Sequence, residues 1–98
     1  MLNLRKMCVY KDLHNHYVIP MYTKDDDWMC KTFYYDPTKN EVKDQGCFWY
    51  AKDGTCLGVT ERNVHQMVAT SLLHPKIKKA IKEWKIYYKN LNKENNNE

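Results

Sequence analysis

Four lysines, Lys78, Lys82, Lys85 and Lys89, recur at i, i+4, i+7 and i+11, a spacing that lines one side of an α-helix. Such a row can follow a phosphate backbone, and counterion release would make its affinity fall steeply with salt. The same row also suits an ordinary solvated helix face. Arginine, whose planar fork reads base edges better than an ammonium does, is absent from this segment.

The aromatic residues form a second set. Trp28, Cys30, Thr32 and Tyr34 alternate with Met29, Lys31, Phe33 and Tyr35, and later Phe48 and Tyr50 alternate with Cys47 and Trp49. Read as two strands of a hairpin, they put aromatic rings on both faces. One helical layer covers only one face. The other is left as a stacking platform for bases, as an apolar patch for a protein, or to be closed over by the N-terminal hairpin. Tyr34, Trp49 and Tyr50 are the residues expected at a protein contact, and Lys78, Lys82, Lys85 and Lys89 those expected at a nucleic acid.

His14 and His16 share a face if the chain is extended there, and with Cys30, Cys47 or Cys56 they suggest zinc. Zinc sites, however, commonly carry close ligand pairs such as Cys-x2-Cys, which this sequence lacks. Cys47 and Cys56 instead read as small apolar groups facing a sheet interior. Asp25, Asp26 and Asp27 lack the ligand spacing of a calcium loop and read as a solvated turn. Covalent chemistry needs a nucleophile, a base and an oxyanion donor. Cys8, Cys30, Cys47 or Cys56 with His65 or His74 show no spacing that selects such a set. No metal, cofactor or catalytic residue is expected, although a small nuclease using His and Lys stays open.

The elements that must position these residues follow from composition and pattern. Ninety-eight residues, 43% of them hydrophobic, suit one domain with a modest core, and thirteen large aromatic rings raise the area it can bury. No run approaches the ~20 apolar residues that span a bilayer. Met1–Lys6 does not read as a signal peptide, so a cytoplasmic protein with reduced thiols is expected. Were it secreted, the four cysteines would allow three pairings. Lysine outnumbers arginine 14 to 2 and asparagine is frequent, a bias towards AT-rich codons such as many phages and low-GC bacteria have. Residues 1–74 are charge-balanced, so the net charge of +4 sits entirely in residues 75–98.

Tyr17–Thr23 is β-branched and aromatic and reads as a strand. Its Pro20 points to an edge or a bulge, and Met7–Tyr10 is a possible partner. Lys24–Asp27 is a turn, Trp28–Tyr35 a strand, and Asp36–Asn40 a turn with proline at its second position. The return strand runs from Val42 to Ala51 with a bulge at Gly46. Asp53-Gly54 then predicts a hairpin into Cys56–Val59, completing a meander from Trp28 to Val59. Thr60 is placed to cap a helix carrying Val64, Met67, Val68 and Leu72 and ending near His74. Pro75 suits the first position of a second helix, whose Ile77, Ala80, Ile81, Trp84, Tyr88 and Leu91 share one arc. Asn92–Glu98 reads as a polar, disordered tail outside a single domain spanning 1–91.

The order of three strands and a helix between Tyr17 and Leu72 is similar to that of small phage and plant domains that bind DNA through a three-stranded sheet. The basic residues such a sheet would place in the groove are few: Lys31, Lys43 and Lys52. The expectation is therefore an α+β domain, a sheet of four to five antiparallel strands with two C-terminal helices on one face. It would act as a non-catalytic cytoplasmic binding protein, monomer or homodimer. Its expected partner is a protein or nucleoprotein, for example as a phage accessory or inhibitor of a host system. Direct DNA or RNA binding is the alternative.

Overall fold

The computed structural model describes residues 4–51 and 66–95. Strands β1 (Tyr10–Lys11), β2 (His16–Lys24), β3 (Asp27–Asp36), β4 (Glu41–Ala51) and β5 (Gln66–Met67) form one antiparallel sheet in the order β4-β3-β2-β1-β5. One α-helix, α1 (Pro75–Asn95), follows. The chain is thus α+β, and the helix expected from Thr60 to His74 is replaced, over its described residues, by β5 and a 3-10 turn at Thr70–Leu72.

That replacement is made by pairing with a strand distant in sequence. Met67 pairs with Tyr10 on the outer side of β1, and the Val68 N–H continues the contact to the Val9 carbonyl at 2.9 Å. An unpaired strand edge offers backbone N–H and C=O groups, and pairing there outweighs the helix propensity of Gln66, Met67 and Ala69. The Thr60 cap, the Asp53-Gly54 hairpin and the Cys56–Val59 strand lie outside the described residues. The helix boundary also moves, since α1 runs past residue 91 to Asn95.

Turn chemistry sets the register. Asp25 and Asp26 form the two-residue loop between β2 and β3, with φ of 53° and 68°. Positive φ at both central positions is the condition for the hairpin turn whose twist matches the flanking strands. In the β3–β4 turn the Asp36 carboxylate accepts the N–H groups of Thr38 and Lys39 at 3.0 and 3.3 Å, and Asn40 closes the loop at φ 53°.

Two bulges bend the sheet. Pro20 pairs with Cys30 while Tyr22 pairs with Met29, leaving Met21 as the extra residue. β2 is therefore an interior strand, and Pro20 fits it because its carbonyl faces the N-terminal arm, where it accepts the Met7 N–H at 2.8 Å. A strand residue's N and O point to the same neighbour, so the missing donor is not one that β3 needs. In β4, Gly46 pairs with Thr32 and Asp44 with Phe33, so Gln45 is extra and Gly46 sits at φ 79°.

Each face of the sheet has its own core. On one, Val9, Tyr17, Ile19 and Phe33 pack against Leu73, Ile77 and Ile81, with Ala80 and Trp84 at the margin. Of the arc expected on the helix, Ile77, Ala80, Ile81 and Trp84 dock here, Tyr88 stacks on Trp84, and Leu91 is exposed. On the other, Leu4, Tyr10, Val18, Cys30 and Tyr50 are buried together with Cys8 and Trp28 against them. The N-terminal arm reaches this face through a reversal at Met7, φ 68°, and the Arg5 N–H donates to the Tyr10 hydroxyl at 2.7 Å.

The position of α1 is fixed at its start. Pro75 is its first residue, and the His74 Nδ1 accepts the Lys76 N–H at 3.1 Å, so histidine supplies the cap. In the neutral ring this leaves the proton on Nε2, which lies 3.4 Å from the Tyr35 hydroxyl, with the two rings 4.6 Å apart.

At Gly46 a Cβ would meet nothing within 4 Å. Gly46→Ala therefore tests backbone conformation alone: a loss of about 1–2 kcal/mol is expected for a left-handed non-glycine residue, read as a lower urea midpoint at unchanged slope.

Candidate interaction surfaces

The flank of α1 that carries the lysine row looks across to Val9 and to the Thr70–Leu73 turn. Between them runs a groove of about 290 Å³ lined by Val9, Thr70, Leu73, Lys78, Ile81, Lys82, Lys85 and Ile86. Its floor is aliphatic and its helix wall is cationic. Lys89 is exposed one turn further along the same flank. Lys85 has a structural task as well, because its Nζ donates to the Met7 carbonyl at 3.0 Å. With the Met7 N–H on Pro20, this holds both backbone polar groups of a residue in a conformation that a bulky side chain rarely adopts. Ile86 stands at the outer lip of the groove, 53% exposed.

The opposite flank of α1 is different. Lys76 donates to the Asn40 carbonyl at 2.7 Å, and Lys79 and Glu83 face Glu41 and Val42 there, so its charge is mixed. The helix thus presents one flank of a single sign and one of mixed sign.

Tyr34, Trp49 and Tyr50 do not form one surface. Tyr50 is 6% exposed and belongs to the far-face core beside Cys30, so it is a packing residue. Tyr34 is half-buried near one end of the sheet, its ring 5.0 Å from His16 and paired across β3–β4 with Lys43. Trp49 lies towards the other end and, by strand alternation, on the helix-bearing face, with Tyr22 edge-on to it at 5.9 Å. The stacking platform expected on the far face is largely closed by its own core, and Phe48, 45% exposed, is its main accessible ring. No sequence signal distinguishes Tyr50 from Phe48, because both alternate onto the same side of β4.

Lys31 is not a groove-inserting base either. It is buried, its Nζ 2.6 Å from an Asp44 carboxylate oxygen and 5.3 Å from the Phe33 ring centre. Burial alone would raise the Asp44 pKa, but the Lys31 ammonium and the Gly46 N–H lower it further than burial lifts it. The same carboxylate oxygen accepts the Gly46 N–H at 2.8 Å, so the pair anchors the β4 bulge.

Asp12, which no sequence pattern singles out, is a buried carboxylate with several hydrogen-bond partners. Its Oδ1 accepts the N–H groups of His14 and His16 at 2.7 and 2.9 Å, and its Oδ2 lies 3.0 Å from the His16 Nδ1. It closes the β1–β2 loop, in which Asn15 stands at φ 64°. Burial would raise its pKa; the two N–H groups and the His16 imidazole outweigh that and hold it below the usual carboxylate range.

Among the described residues no group of three or more His, Cys, Asp and Glu side chains converges to hold a metal ion. Cys8 and Cys30 lie on the far face, whereas Cys47 is exposed on the helix side with its Sγ 3.9 Å from the Met21 Sδ, rather than in a sheet interior. His14 and His16 belong to the Asp12 loop and His74 to the helix start. Cys56 and His65 lie outside the described residues. No described helix is long and apolar enough to cross a membrane. The chain matches no family model, no curated protein and no solved structure.

A carboxyl with a depressed pKa stabilises the fold above the unfolded carboxylate range, and that contribution is lost as pH falls through the folded value. Asp12→Asn should therefore lower stability at neutral pH and flatten the acid limb of a stability-against-pH curve from urea unfolding. An acid limb as steep as that of the parent protein would remove Asp12 from this role.

Proposed function

We propose that the chain is a non-catalytic binding protein that works by occupying a surface on a larger protein or nucleoprotein partner, with the lysine-bearing flank of α1 as its contact face. The observation that carries this reading is the groove beside Ile86: an aliphatic floor left open next to an exposed isoleucine, on the flank where all the charge has one sign. Apolar surface rimmed by polar groups is a feature of contact sites. Tyr34, Trp49 and Tyr50 support it less, since Tyr50 is spent on the core and Tyr34 and Trp49 sit near opposite ends of the sheet. Small size and a lysine- and asparagine-rich composition favour a phage or mobile-element accessory or inhibitor as the concrete form. A cytoplasmic setting belongs to the same proposal.

In affinity purification from a host lysate followed by hydrogen-exchange footprinting of the captured complex, protection is expected over residues 78–86. Ile86→Asp should reduce capture at least tenfold while circular dichroism stays unchanged. Capture that survives this substitution would move the contact face elsewhere.

A second reading, direct DNA or RNA binding, is favoured by Lys78, Lys82 and Lys85 facing one groove with Lys89 on the same flank. Because Lys85 also holds Met7, Lys82→Glu is the cleaner probe. This reading expects micromolar or tighter binding to generic duplex or single strands at low salt. Three to four phosphate contacts would give a log–log salt slope of about −3. Silence in a low-salt gel-shift titration ends it.

A further inference from the structure

We infer that the groove between α1 and the Val9/Leu73 wall receives an acidic amphipathic segment of a protein partner, seated by aliphatic anchors on its floor and by carboxylates on its lysines. This rests on the binding reading above and adds the chemistry of the occupant.

Three observations select that occupant. The floor is Val9, Leu73 and Ile81, with Ile86 at the lip, so part of whatever binds must be aliphatic. The volume, about 290 Å³, falls at the small end of ligand pockets, which run from ~300 to 1,000 Å³, and it lies open along a helix. That shape suits a short row of side chains at i and i+3 or i+4, as when one helix lays its apolar stripe in a groove. Finally, Lys78, Lys82 and Lys85 supply three positive charges, and none of the described lining residues is acidic. The lysine stems extend the apolar walls while their ammonium groups stay in water, so a segment with an apolar stripe flanked by Glu or Asp matches both parts at once.

A nucleic acid meets only half of this. Its phosphates would pair with the ammonium groups but would bring charge and water over Val9, Leu73 and Ile81. The lysines also divide their work unequally. Lys85 is tied to the Met7 carbonyl, whereas Lys78 and Lys82 are exposed and stand where a partner's carboxylates would arrive.

The test is a selection of random displayed peptides on the immobilised full chain, followed by titration of synthetic versions of those enriched. Enriched peptides should carry aliphatic residues at helical spacing with flanking Glu or Asp. Their affinity should fall at least tenfold against Lys78→Glu/Lys82→Glu and against Ile86→Asp, and should weaken with added salt. The purified variants must keep the parent's circular dichroism and urea midpoint, and Lys78→Gln/Lys82→Gln, which removes charge without reversing it, should show an intermediate loss. Neutral or basic peptides that still require Ile86 would overturn the acidic occupant and leave the groove as the contact face. Peptides indifferent to all these substitutions would overturn both. An absence of enriched peptides together with tight duplex DNA binding at low salt would overturn the inference in favour of the nucleic-acid reading. An absence of both would overturn it outright.

Discussion

A sheet of this composition has apolar side chains on both faces, and water must be kept from both. Ile19 and Phe33 project to one side of β2 and β3, while Val18 and Cys30 project to the other. One amphipathic helix can cover one side. The second cover has to come from the rest of a short chain, and the N-terminal arm provides it by placing Leu4 and Cys8 against Tyr10, Val18 and Trp28. Full burial of an aliphatic or aromatic side chain is worth about 1.5–3 kcal/mol, so neither layer is dispensable in a domain this small. The three-layer arrangement leaves the flanks of the helix as the natural place for function.

The polar ties each solve a local problem raised by that packing. The Lys31–Asp44 pair holds the Gln45–Gly46 bulge, which bends β4 at the point where the carboxylate also takes a backbone N–H. Asp12 closes the loop that brings β1 back along β2. His74 stops the incoming chain and starts α1 against the Tyr35 ring, so the helix is anchored to the β3–β4 end of the sheet. Each is a side chain satisfying backbone donors at a change of direction, where a ladder cannot.

What the sequence made legible depended on local rules. The Pro75 start, the Asp25-Asp26 reversal, the Gly46 bulge and the helix arc from Ile77 to Trp84 are patterns of near neighbours and stand in the structure, although the arc's far end at Leu91 is exposed. The features that escaped were decided by distant partners. Met67 and Val68 fit a helical face on spacing alone, yet β1 needed an edge partner and took them. Pro20 pointed to an edge or a bulge; the bulge is present, with Met21 as its extra residue, while β2 itself is interior because the proline turns towards the arm. Tyr34, Trp49 and Tyr50 were grouped by type, but alternation and a buried far face separate them. The lysine row was visible in the sequence; the aliphatic groove beside it, made by Val9 and Leu73 from two other segments, was not.

The bond from Lys85 to the Met7 carbonyl joins positions 78 residues apart. During synthesis the chain emerges from its N-terminus, so this tie cannot form until α1 has almost left the ribosome. Until then Met7 lacks one of the two clasps that hold its left-handed turn, and the arm that shields the far face has nothing from the helix to lock it. Final closure is thus deferred until α1 has been made. The nascent sheet must wait, incompletely shielded, for the lysine that completes it.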